Sequence, residues 1–171
     1  MLYKNILVIS FLLLVTLTSV AQNKGVEFTE AEDEGWLVDL EEAYNLSKDT
    51  QKPILANFTG TDWCGWCKKL RAEVFSKPEF KTWAKENVVL LELDFPRRKK
   101  LPEQQVQQNR GLQQAFQVRG YPAIWVFDLK RPDENKGFEI HALGSTGYIR
   151  GGASAFTGEI DKMIARKVAV N

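Results

Sequence analysis

The stretch Pro53 to Leu70, PILANFTGTDWCGWCKKL, constrains the fold more than any other part of the chain. It opens with an apolar run, Ile54-Leu55-Ala56-Asn57-Phe58, that reads as a buried strand. Thr59-Gly60-Thr61-Asp62 breaks that run. A helix follows from about Cys64, with Leu70 and Val74 on its inward side. Cys64 and Cys67, the two cysteines of the 171-residue chain, therefore sit where a strand hands over to a helix. Only Gly65 and Trp66 separate them.

The remaining pattern alternates. A helix is expected over Asp39 to Asp49, with Leu40, Ala43, Tyr44 and Leu46 on one side. Pro78 suits the first turn of another helix, running to about Glu86. Val88 to Leu93 is a second apolar strand, and Pro96 to Pro102 a charged loop. Glu103 to Phe116 is helical, with an interruption near Gly111. Gly120-Tyr121-Pro122 leads into a third strand, Ala123 to Phe127, and a turn over 131–137 joins it to a fourth, Phe138 to Leu143. Residues 144–152, with four glycines, read as a loop before a last helix from Ala155 to about Val168, whose Phe156, Ile160, Met163 and Ile164 face inward. Strands alternating with helices, then an adjacent strand pair, imply an α/β fold: a central mixed β-sheet flanked by helices on both faces.

The first residues, MLYKNILVISFLLLVTLTSVAQ, place one cation before an apolar run and then Ser19 and Ala21 in a small–x–small pattern. That is the layout of a signal peptide over residues 1–21, cleaved near Ala21-Gln22. A membrane span wants about 20 apolar residues, and this run is shorter and carries hydroxyl residues; an uncleaved anchor is the alternative. Residues 22–35 are polar and acidic, a flexible lead-in to a domain over 36–171. Loss of Lys4 with the leader leaves 22 cations against 22 acids. Nucleic-acid binding thus has no global electrostatic support. Arg97-Arg98-Lys99-Lys100 is the one basic cluster. It reads as a solvated loop, with docking of an acidic partner as the lesser reading.

Export changes the meaning of the cysteines, because thiols outside the cytosol tend towards disulfides. A single close pair in a domain large enough to bury its own core is not there for stability; so small a closed loop contributes about 2 kcal/mol in the chain-entropy model. The start of a helix offers a different use. The first N–H groups of a helix lack internal acceptors, and their partial positive charge favours an anion. Cys64 faces those donors, so its thiolate forms more readily than that of a free cysteine with a pKa of about 8.5. Cys67, one turn inward, is placed to attack a mixed disulfide on Cys64.

The surroundings resemble the thioredoxin superfamily. The matching residues are Trp63-Cys64-Gly65-Trp66-Cys67-Lys68 and, downstream, Val118-Arg119-Gly120-Tyr121-Pro122-Ala123, with Asn109, Gly111 and Phe116 at similar spacings between them. The likeness covers about residues 36–168. It is strongest to exported bacterial thioredoxin-like proteins with an F-T-G-x-D-W-C-G-W-C-K segment and to the soluble redox domains of disulfide-reducing membrane systems. It implies a thioredoxin-like fold and a cis bond before Pro122 beside the cysteines. It also implies that Cys64 is the nucleophile, Cys67 the resolving thiol, and the Tyr121 backbone the partner of an extended substrate segment. Trp63, Gly65 and Trp66 would complete the substrate-binding surface.

Two departures from that family stand out. Thioredoxins usually carry a buried aspartate where Asn57 stands and often a lysine near the position of Leu90. Asn57 can hydrogen-bond but cannot titrate. Proton transfer at Cys67 then needs water or another acid, Asp62 or Glu92, in an environment that includes Asn57 and Lys68. Exchange slower than a thioredoxin's is expected, and faster in Asn57→Asp. The uncharged Gly65-Trp66 dipeptide favours a reductant over an oxidant.

A zinc site is the first alternative. Such sites want four ligands, whereas the chain offers two cysteines and His141. A thioredoxin-fold chaperone or binding module without turnover is the second, but binding alone has no need of a resolving thiol. The reading adopted is an exported, monomeric thiol-disulfide oxidoreductase, periplasmic or secreted, that reduces protein disulfides. It would use no cofactor beyond the redox-active Cys64–Cys67 pair, since no flavin or nicotinamide motif is present. Its partners would be disulfide-bearing substrate proteins and a membrane-embedded or soluble thiol electron donor.

Overall fold

The computed structural model describes residues 28–133 and 136–170. The leader expected over 1–21 and the first part of the lead-in lie outside these residues. The elements are α1 (Leu40–Thr50), β1 (Ile54–Thr59), α2 (Gly65–Leu70), a π-helical turn (Arg71–Phe75), α3 (Pro78–Asn87), β2 (Val89–Asp94), α4 (Glu103–Ala115), β3 (Ala123–Lys130), β4 (Glu139–Thr146) and α5 (Gly152–Val170). The strands form one sheet in the order β2-β1-β3-β4. β1 runs parallel to β2 and antiparallel to β3, and β3 is antiparallel to β4. The sheet is mixed, as the element order implies.

β1 is the centre of this sheet and is buried along its whole length. Side chains alternate between faces along a strand, and β1 feeds two cores. Ile54, Ala56 and Phe58 pack with Leu91, Leu112 and Phe116 on one face. Leu55 packs with Leu70, Phe80, Ile124 and Phe156 on the other. Asn57 shares the face of Leu55 and so points towards α2, where an apolar residue would otherwise stand. Helices cover both faces because both are apolar, and a sheet face must be buried to be stable.

Local chemistry sets the helix ends. The Asp39 carboxylate accepts from the Glu41 amide and caps α1; such a cap is worth about 1 kcal/mol. Pro78 opens α3, where its missing N–H costs nothing. Gly151, just ahead of α5, and Gly152, its first residue, take φ of 109° and 70°, a conformation that glycine adopts without steric cost. At the π-helical turn the Ser76 amide bonds to the Arg71 carbonyl at 2.9 Å. The added residue lets Leu70, Val74 and Phe75 all face inward.

Several expectations are corrected. Leu46 is 44% exposed, and Ser47 takes the inward position beside Ala43. Gly111 does not interrupt α4, which runs unbroken because Gln105, Asn109 and Leu112 anchor its buried side. β3 and β4 are longer than their apolar runs suggest. Residues 144–146 belong to β4 rather than to a loop, since hydrogen bonding to β3 continues past a register shift at Val126/Phe127. The described part of the lead-in is tied down. Thr29 donates twice to the buried Gln105, and Arg71 binds Asp33 through two nitrogens, at 2.7 and 2.8 Å. Among the described residues no helix is long and apolar enough to cross a membrane.

Candidate active site

The break Thr59-Gly60-Thr61-Asp62 ends β1 and turns the chain so that Cys64 becomes the N-cap of α2. The Cys67 amide donates to Cys64 Sγ at 3.2 Å. This is the contact that the helix-start reading requires, with an oriented peptide dipole aimed at the first sulfur. Cys64 and Cys67 form a disulfide with Cα atoms 5.3 Å apart. They are 6% and 5% exposed, and Gly65 beside them is open to solvent.

The loop before β3 lies against the same corner. Tyr121–Pro122 is a cis peptide bond. The Tyr121 ring meets the Trp63 indole edge-on at 5.8 Å and the Phe95 ring at 5.2 Å. Gln113 donates to the Tyr121 hydroxyl at 2.6 Å, which fixes the ring. Trp63 is held by an Nε1–H donation to the Phe95 carbonyl at 2.8 Å, and its ring crowds Gly60, where a Cβ would lie 2.5 Å from the indole. Trp66, by contrast, is 56% exposed and meets the Tyr148 ring at 5.2 Å. Lys68 is also exposed, its ammonium donating to the Asp62 carbonyl.

Behind Cys67 lies a cavity of about 20 Å³, enough for one water molecule. Asn57, Cys67, Glu92, Arg71 and Trp36 border it. Asn57 is 6% exposed, and no described group donates to its Oδ1. Glu92 is 7% exposed. Burial pushes its carboxyl up to about 7; the nearby Asp94 adds to the rise, while the Glu32 amide and Lys99 oppose it. Asp62, the other acid considered for proton transfer, is engaged elsewhere. Its carboxylate accepts from the amides of Arg97, Arg98 and Lys99.

Of the residues singled out in the sequence, Cys64 and Cys67 are joined as a disulfide, and Trp63 beside them meets Tyr121, which precedes the cis Pro122. The sequence reading did not foresee the roof of the cavity. Glu32 and Asp33, from the lead-in, border the cavity together with Arg71, and the Glu32 amide bonds to Glu92 at 3.3 Å. No spacing rule announces contacts between residues 60 positions apart. His141 lies on β4 opposite Asp128 and borders a different groove. Among the described residues no cluster of three or more His, Cys, Asp or Glu could hold a metal.

A mixed sheet with helices on both faces, a cysteine pair capping the helix after the central strand, and a cis-proline loop against it define a thioredoxin fold. Residues 40–135 match the family model described as a thioredoxin-like domain. The chain belongs to that family. It is 34% identical over 119 residues to the disulfide bond reductase DsbH of Chlamydia pneumoniae, a match covering 70% of this chain and 66% of that protein. The thioredoxin-related protein DsbJ of the same organism is 30% identical over 132 residues, covering 77% of this chain but 37% of DsbJ. A solved DsbH oxidoreductase superposes with a TM-score of 0.66 at 28% identity, over 83% of this chain and 94% of that one. The chain thus spans just under two thirds of its DsbH relative and little more than a third of DsbJ.

Proposed function

We propose that the protein is an exported thiol-disulfide oxidoreductase acting as a protein disulfide reductase. The observation that carries this is the Cys67 amide aimed at Cys64 Sγ, at the N-terminus of α2. In the reduced protein the Cys64 thiolate attacks one sulfur of a substrate disulfide. A mixed disulfide forms and the other substrate sulfur leaves as a thiolate. Cys67 then gives up its proton and attacks Cys64 Sγ; the second substrate thiolate leaves and the Cys64–Cys67 disulfide remains. Two electrons pass from protein to substrate, and the departing thiolates take protons from solvent.

The proton of Cys67 goes to Glu92 through the shared cavity. A carboxyl titrating at about 7 accepts and returns protons near neutral pH, which suits a general base. Asn57 and Arg71 position groups around that route, and Lys68 adds positive charge at its mouth. The backbone of Tyr121, fixed by the cis bond to Pro122, pairs with an extended substrate segment. Trp63 and Trp66 give that segment apolar contacts. The name of the DsbH relative, a disulfide bond reductase, supports the direction of electron flow. After export to the periplasm or beyond, a monomer would be reset by a membrane-embedded or soluble thiol donor.

Insulin reduction by the parent, Cys64→Ser and Cys67→Ser tests this. The parent turns over; Cys64→Ser is inactive; Cys67→Ser stalls as a mixed disulfide. Suppression of aggregation that survives in both variants, without reduction by the parent, would instead point to a chaperone.

A further inference from the structure

The basic run Arg97-Arg98-Lys99-Lys100 is a solvated loop, exposed at all four residues, but an ordered one. Its backbone is gripped from the active-site side. The Asp62 carboxylate accepts from three successive amides, at 3.1, 2.6 and 3.2 Å. Trp63, next to Cys64, bonds to the Phe95 carbonyl. The Arg97 guanidinium lies over the Trp63 ring, 3.8 Å from its centroid, where the ring's electron-rich face attracts it. Lys99 is tethered to the buried Asp94 at 2.8 Å. The two residues preceding Cys64 therefore hold the loop in place.

This arrangement fixes the loop and offsets its charge only in part: Lys99 is paired with Asp94, and the Asp62 carboxylate lies near Arg98. The acids of the corner are already engaged: Asp62 by backbone amides and Asp94 by Lys99 and Thr61. Arg98 and Lys100 remain exposed. Arg110 borders the same groove as Lys99 and Lys100, and Arg119 is exposed two residues before Tyr121. In that groove, among the described residues, the only carboxylate is Asp94. The full chain carries a net charge of only +1, so the positive field is local to this loop and its groove.

Resting on the redox reading above, we infer that the loop over residues 97–100 is a docking wall for acidic polypeptide. The preferred substrate presents its disulfide within a segment rich in Asp and Glu. Exchange at Cys64 demands a disulfide, and the aromatic corner of Trp63 and Tyr121 suits a peptide backbone, so the occupant is a protein segment. A preorganised cationic wall raises the local concentration of such a segment and its rate of encounter.

The test uses three peptides of equal length with the same internal disulfide, flanked by Asp/Glu, by Ser/Gly or by Lys/Arg. Reduction by the full mature protein is followed as kcat/KM across ionic strength. The acidic peptide is expected to exceed the basic one by roughly tenfold or more at low salt. The ratio falls towards one near 0.5 M salt, roughly the range where the Debye length is only a few ångströms. In the Arg98→Glu/Lys100→Glu variant the low-salt preference reverses. Equal rates for all three peptides in the parent, or a salt-independent ratio, would overturn the inference alone. Reduction of none of them by the parent would overturn the redox reading and the inference with it.

Discussion

Asn57 and Glu92 stand opposite one another on the parallel strands β1 and β2, and both border the cavity behind Cys67. The central strand thus presents an amide where a carboxyl is usual in this family, and the neighbouring strand supplies the carboxyl. The titratable group has moved sideways by one strand without leaving the face beneath α2. If Glu92 serves as the base proposed above, it offsets the slow exchange expected from Asn57 alone.

Glu92 makes stability depend on pH. Its folded-state pKa lies above the unfolded value, 4.5 rising to about 7, so the folded chain binds the extra proton between these values. Stability then falls as pH rises from about 4.5 to 7 and is level above. Glu92→Gln removes the effect. The oxidised variant is expected to match the parent near pH 4 and to exceed it at pH 8 by on the order of 3 kcal/mol, at about 1.4 kcal/mol per tenfold change in proton affinity. Urea unfolding at the two pH values measures this; a gap that does not widen with pH would remove Glu92 from the cavity chemistry.

The same substitution slows the resolving step. In Glu92→Gln, decay of a preformed mixed disulfide on Cys64 is expected to slow by about tenfold or more at pH 7, the lower side of what a positioned base contributes. Asn57→Asp introduced into that variant returns a carboxyl to the cavity and restores much of the rate. Failure of the double variant to recover, with its fold intact by circular dichroism, would mean that the proton leaves by another path.

Gly60 is required by the Trp63 ring. An added Cβ meets the indole at 2.5 Å, and the ring is trapped by its bond to Phe95 and its contact with Tyr121. Gly60→Ala is expected to destabilise by about 1–3 kcal/mol through overpacking and to shift Trp63 fluorescence. An unchanged unfolding midpoint would show that the corner can yield.

The Asp62 clamp predicts local rather than global weakening. Asp62→Ala frees the amides of Arg97, Arg98 and Lys99, whose hydrogen exchange should accelerate. The unfolding midpoint stays essentially unchanged, because the loop is exposed. Unaltered exchange at these three amides would contradict a preformed loop.

The redox corner was legible in the sequence because its parts are local. The strand, the break, the cysteine pair and the helix follow one another within 18 residues, and the Gly-Tyr-Pro turn carries its own signature. Glu92 was legible only as one of two candidate acids, beside Asp62, and its position was not. Its facing depends on the register between β1 and β2, and a slip of one residue would send it to the opposite face. The ends of β3 and β4 were underestimated because their last residues are half-exposed and carry no apolar signal. The contacts of the described part of the lead-in, residues 28–35, were not legible because its anchors, Gln105 and Arg71, are 76 and 38 positions from Thr29 and Asp33. The basic loop likewise owes its order to Asp62, 35 residues away from Arg97.

The most direct measurement is the rate of iodoacetamide alkylation of each cysteine in the reduced protein, followed by mass spectrometry from pH 4 to 10. The account predicts that Cys64 reacts at least about tenfold faster than Cys67 at pH 7, with a titration midpoint clearly below the free-thiol value of about 8.5. A Cys64 that titrates like a free thiol, or reacts no faster than Cys67, would contradict it.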